Sequence, residues 1–120
     1  MSNDQTQDLC VFQNESVTIL LTVFDEDDNL LDLTGARVLF VAWNASTDTT
    51  IITKDSNVSA AQVEIQDQVT NTGEAKIFID PTDLAAVAVL MHNIWIDLAG
   101  GQQHLVVRPS RFEILASRRS

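Results

Sequence analysis

The sequence predicts an all-β sandwich, and three observations predict it. Short runs rich in β-branched and aromatic residues recur at regular spacing. Within each run, apolar residues alternate with the period of two that sends neighbouring side chains to opposite faces of a sheet. Turn-forming stretches divide the runs: Asp25-Glu26-Asp27-Asp28-Asn29, Asp55-Ser56-Asn57, Asn71-Thr72-Gly73 and Gly100-Gly101.

The elements follow in order. Residues 1–8 read as a flexible N-terminal tail, residues 9–116 as the sandwich and residues 117–120 as a basic C-terminal tail. Leu9 to Phe12 is a short first strand. Ser16 to Phe24 is a strong one, with Val17, Ile19, Leu21 and Val23 on one face. Gly35 gives the chain the freedom to enter the next strand, Ala36 to Trp43. There Val38, Phe40 and Ala42 line one face and Leu39, Val41 and Trp43 the other, so the strand should be covered on both sides. Ile51 to Lys54 and Gln62 to Gln66 are short strands. Glu74 to Ile79 turns Ala75, Ile77 and Ile79 inward. Asp80-Pro81-Thr82-Asp83 starts a helical piece of one or two turns, since Asp80 can cap it and Pro81 suits its first position. Met91 to Leu98 and Gln102 to Arg108 form a hairpin across Gly100-Gly101. Pro109 interrupts the returning strand as a bulge or a strand switch, and Arg111 to Ala116 closes the fold. The total is about eight strands and one short helical turn.

Length fits one domain of 120 residues, which buries roughly 65% of the surface its unfolded chain exposes. The net charge of −10 disfavours nucleic acid and anionic membranes, because phosphate binding needs Lys and Arg. Of seven basic residues, four (Arg108, Arg111, Arg118 and Arg119) fall in the last thirteen positions. They read as a solubilising tail or as a basic arm that docks on an acidic neighbour. No apolar run approaches a membrane span, and the polar, acidic N-terminus is unlike a signal peptide. The chain is expected to stay soluble inside a cell. Cys10 is the single cysteine, which rules out an internal disulfide; it reads as a small buried apolar residue. Three sequon matches, at Asn14, Asn44 and Asn57, are most simply chance.

The chemical constellations are thin. Asp25 to Asn29 opens like a calcium loop, but Leu30 stands where that loop needs Gly and Ala36 where it needs Glu. A turn with solvated acids is the better reading. His92 and His104 could approach across the hairpin, yet no Cys or third His accompanies them; a satisfied strand histidine is favoured over zinc. There is no nucleophile elbow and no phosphate-cradling glycine loop. Neither catalysis nor a cofactor is expected. Trp43 and Trp95 either fill the core or, from outer faces, stack on sugar rings or anchor a partner.

The run Asp25 to Ala42, with Asp32-Leu33-Thr34-Gly35-Ala36 before an alternating apolar strand, resembles the signature of the immunoglobulin-like domain of tailed-phage baseplate and tail-fibre proteins. Ile52 to Asp55, Gly73 to Leu84 and Ile94 to Gln102 resemble its following strand, its Pro-started turn and its final hairpin. The likeness runs from about Val17 to Leu115. It implies an immunoglobulin-like antiparallel sandwich and a virion structural role. In such proteins the domain usually leads into a long trimeric or receptor-binding region, whereas this sequence stops at Ser120. The family turn often has Gly where Asn29 stands, and Asn also tolerates the left-handed conformation. The expected function is therefore a small accessory or adaptor protein, present in multiple copies, that binds tail, baseplate, fibre or capsid subunits in particles assembled in the bacterial cytoplasm. The alternatives are capsid decoration or recognition of a carbohydrate or receptor. Candidate contact residues are Leu20, Phe24, Leu39, Trp43, Phe78 and Trp95, with Arg108, Arg111, Arg118 and Arg119 as an electrostatic dock.

Overall fold

The computed structural model describes residues 8–98, 100–101 and 103–116, and of Arg108 the backbone alone. Residues 1–7 and the predicted basic tail with Arg118 and Arg119 lie outside the described residues.

Among the described residues eight strands form two sheets: β1 (Leu9–Phe12), β2 (Val17–Thr22), β3 (Arg37–Asn44), β4 (Thr49–Asp55), β5 (Val63–Ile65), β6 (Glu74–Ile79), β7 (Ala88–Asp97) and β8 (Gln103–Leu115). The five-stranded sheet runs β1-β8-β7-β3-β4 and the three-stranded sheet β2-β6-β5. All pairings are antiparallel except β1 with β8, which run side by side in the same direction. A β8-β7-β3 centre facing a β2-β6-β5 sheet is the strand order of the immunoglobulin fold, with an added strand on either side of the centre.

The period-two pattern sets the core. Ile19, Leu21, Val38, Phe40, Ala42, Ala75, Ile77, Ile79, Ile94 and Ile96 all point inward and are buried, as the alternation predicts. Their burial against water is the main favourable term in folding. At the centre Phe40 stacks on His92 with ring centroids 5.5 Å apart, and both meet Phe112 edge-on at 6.0 and 5.7 Å. With a single cysteine, the chain has no intersheet disulfide, and this aromatic trio fills the space between the sheets.

Several boundaries differ from the sequence reading. β2 stops at Thr22, and Phe24 lies beyond it in an isolated bridge to Leu30. The acidic turn is closed by Asp25, whose Oδ1 accepts the N–H groups of Asp27 at 2.9 Å and Asn29 at 3.0 Å. Its left-handed residue is Asp28 (φ 65°), not Asn29. The helical piece is a single 3₁₀ turn, Pro81–Leu84, so β7 starts three residues early. The last two predicted strands merge into one, β8, which runs Gln103–Leu115. His92 pairs with Ser110 and Ile94 with Val107, so Asn93 faces both Arg108 and Pro109. That extra residue is the predicted bulge, which accommodates a residue with no N–H to donate.

Cys10 is exposed, contrary to expectation. Strand alternation buries its neighbour Val11 instead and turns Cys10 outward beside Glu113. Asp8 is not part of a loose tail: its Oδ1 accepts the Arg111 N–H at 3.0 Å.

Charged groups secure the β4 edge of the five-stranded sheet. Lys54 on edge strand β4 sits opposite Phe40 and points inward, where Asp83 and Asp80 hold its Nζ at 2.7 and 3.3 Å. The acids of the 3₁₀ turn are thereby tied to the sheet edge, and an inward charge discourages further strands from adding there. Next to Lys54 on β4, Asp55 accepts from Nε and Nη2 of Arg37, the first residue of β3, at 3.0 and 2.5 Å. This fork holds the Asp55 carboxyl below its ordinary value, with the Asn57 N–H contributing.

The two histidines do not meet. His104 is exposed opposite Ile96, while His92 is fully buried. Nor is His92 the satisfied strand histidine expected. Neither ring nitrogen makes a hydrogen bond of good geometry, the nearest help being the Ser110 backbone. Burial lowers its pKa below the ordinary 6.5, the Ser110 backbone and Asp8 acting weakly the other way. Below pH 6.5 the unfolded chain therefore takes up a proton that the native state refuses. The contribution to stability is whole above that pH and is lost as pH falls towards the folded-state pKa, at up to about 1.4 kcal/mol per pH unit. The urea midpoint should drop between about pH 7.5 and pH 5, and His92→Leu should flatten this drop. An unchanged drop in the variant would assign the acid sensitivity elsewhere.

Candidate functional site

The outer face of the five-stranded sheet is built by the same alternation that fills the core. In β3 the odd positions Leu39, Val41 and Trp43 point away from the interior, and in β7 Met91, Asn93 and Trp95 do. The registers Leu39 with Trp95, Val41 with Asn93 and Trp43 with Met91 place them in three adjacent rows. All six are partly exposed. The expectation that β3 is covered on both sides thus fails among the described residues: the second sheet covers one face, and the other stays partly exposed.

Leu39, Val41, Trp43, Asn93 and Trp95, with Asp48 and Thr50 from the β3–β4 hairpin, line a shallow depression of about 310 Å³. The two tryptophans lie at its opposite ends, roughly 13 Å apart along the strands at the usual rise per residue. Thr50 is brought in by its pairing with Trp43, where a one-residue shift in register leaves Ile51 exposed. Asp48 holds a left-handed backbone conformation (φ 54°) in the turn before β4. Asn93 sits on the floor. Its Oδ1 is buried and has no hydrogen-bond partner, which is uncommon for a buried polar atom and asks for a reason.

Of the residues singled out from sequence, Leu39, Trp43 and Trp95 converge here. The tryptophans occupy the outer face rather than the core, because Phe40 holds the inward position on β3. Leu20 and Phe78 lie on the opposite side of the molecule, on the outer face of the three-stranded sheet, where Leu20 pairs with Lys76 and Phe78 with Thr18. Leu20 is 57% exposed. Phe24, at the acidic turn, belongs to neither cluster. Arg111 is exposed and bound to Glu113 at 3.1 Å, so part of its charge is already opposed. Arg108 lies in the β8 bulge. Asn93, Asp48 and Thr50 were not anticipated. The signal for Asn93 was present: a residue poorly suited to strands stands at an outward position between Met91 and Trp95.

Among the described residues no group of three or more His, Cys, Asp or Glu is placed to hold a metal ion. No helix there is long and apolar enough to cross a membrane.

These features define an immunoglobulin-like β-sandwich with an open, partly apolar face on its larger sheet. No family model matches the chain, and no curated protein does. Among solved structures, murine CRIg is similar at 14% sequence identity over 92% of each chain, with a TM-score of 0.39.

Proposed function

We propose that this chain is a bacteriophage virion structural protein, a small accessory or adaptor sandwich that binds other subunits in the tail, baseplate or fibre attachment region. The observation that carries this reading is the outward display of large apolar side chains on both sheets. Leu20 and Phe78 on one side, and Leu39, Trp43 and Trp95 on the other, stand where a solitary sandwich usually places polar residues. The sequence likeness to phage immunoglobulin-like domains supplies the setting. A scaffold of this kind works by shape and contact, with no chemical step.

The three-stranded sheet is the better candidate for the docking face. Leu20 and Phe78 lie on it with Lys76, which stands on β6 directly opposite Leu20, an apolar pair beside a cation. Peptides of this chain are expected by mass spectrometry in purified phage particles, and Leu20→Asp should reduce their incorporation while leaving the fold intact by circular dichroism. Particles that lack the chain altogether would refute the proposal.

A further inference from the structure

We propose a second property: the depression between Trp43 and Trp95 binds a neutral pyranose sugar. Three features of the site select this ligand class. A pyranose shows a face of C–H groups that lies well against an indole, and a rim of hydroxyls that donate and accept hydrogen bonds. The depression offers the complement, with two tryptophans at its ends and Leu39 and Val41 beneath.

Its polar groups are chiefly acceptors. Asp48 brings a carboxylate, Thr50 a hydroxyl and Asn93 a side-chain oxygen with no partner. Hydroxyl donors are what such a set lacks. The Asn93 oxygen lies just under the surface, and rotation about the soft terminal torsion of the amide turns it to the opening. The bulge at Arg108 and Pro109 directly faces Asn93, and bulges commonly re-aim a side chain at a working surface.

Charge sets the boundary of the class. Asp48 at the rim and the net charge of −10 repel an anionic ligand. Neutral hexoses and N-acetylhexosamines fit; sugars bearing a carboxylate do not. The volume of about 310 Å³ suits one or two rings.

The chain supplies its own reporter. It has two tryptophans and no tyrosine, and both tryptophans border the site. The full-length protein is titrated with glucose, galactose, N-acetylglucosamine and N-acetylgalactosamine, each to about 100 mM, while tryptophan emission is recorded. At least one sugar is expected to give a saturable change in the millimolar range. Asn93→Ala and Asp48→Asn should each weaken it about tenfold, the loss of one good hydrogen bond to the ligand. Asp48→Asn keeps the residue's tolerance of a left-handed turn, so it tests the site even if Asn93→Ala perturbs the sheet. N-acetylneuraminic acid should give no response. The proposal is overturned if no neutral sugar saturates the signal, if both variants respond like the native chain, or if the acidic sugar binds as well. It is also overturned if a purified virion subunit alone changes the emission, which would make this face a protein dock. A subunit that docks here would support the structural role while ending the sugar proposal, and incorporation is read separately through Leu20→Asp on the other sheet, so the two proposals fail separately.

Discussion

Replacing Phe40 with alanine is expected to destabilise the protein by about 3–5 kcal/mol, the usual cost of truncating a buried aromatic ring. Phe40 is completely inaccessible, and its ring is the common neighbour of His92 and Phe112. The aromatic contacts add to simple burial. The central β-ladders of the sheet resist collapse into the vacancy, because β3 is paired on both sides, to β4 and to β7. For a domain whose whole stability is of the order of 5–15 kcal/mol, this is a large share. The measurement is a urea transition at neutral pH, with the midpoint falling at an unchanged slope. A loss under about 1 kcal/mol would mean that the core repacks freely and that the trio is not its centre.

The second large effect comes from one hydrogen-sized gap. Gly73 is buried and left-handed (φ 80°), and a Cβ built there would lie 2.7 Å from the Val23 carbonyl oxygen and 3.3 Å from that of Leu31. Neither oxygen can yield easily. The Val23 carbonyl accepts the Leu31 N–H at 2.9 Å, and the Val23 N–H donates to the Gly73 carbonyl at 2.8 Å. The Gln68 side-chain oxygen fixes the same place from beneath, accepting the N–H groups of Gly73 at 2.8 Å and Leu33 at 2.9 Å. Gly73→Ala therefore meets both the left-handed penalty of about 1–2 kcal/mol and a clash of about 1–3 kcal/mol. Gly100→Ala is the control: nothing lies within 4 Å of its Cβ, so it should be nearly neutral. Equal melting temperatures for the two variants would contradict this account.

The inward-facing residues were legible because alternation is a local property. Val38, Phe40 and Ala42 declare one face of a strand wherever it is placed. What alternation cannot declare is whether a second layer covers the other face. Leu39, Val41 and Trp43 looked covered for that reason, and only the sheet order shows that neither sheet of the described residues lies over them. Cys10 was misjudged by residue type, when its position between Leu9 and Val11 decides its direction. His92 was misjudged for a related reason, since its partners Phe40 and Phe112 come from distant strands. Asn93 needed the register of β7 against β8, because its place opposite the bulge is a product of pairing rather than of sequence. Half of the site was thus visible as two tryptophans and a leucine. The polar half depends on which strands become neighbours.

The side-by-side, same-direction pairing of β1 and β8 carries a mechanical consequence. The chain enters β1 beside Phe112 and leaves β8 beside Phe12, so the two exits lie at opposite ends of one ladder. Tension along the strands would load its rungs together, in shear, and none could be unzipped ahead of the rest. Built that way, the domain would yield to a pull only when the whole ladder slides at once.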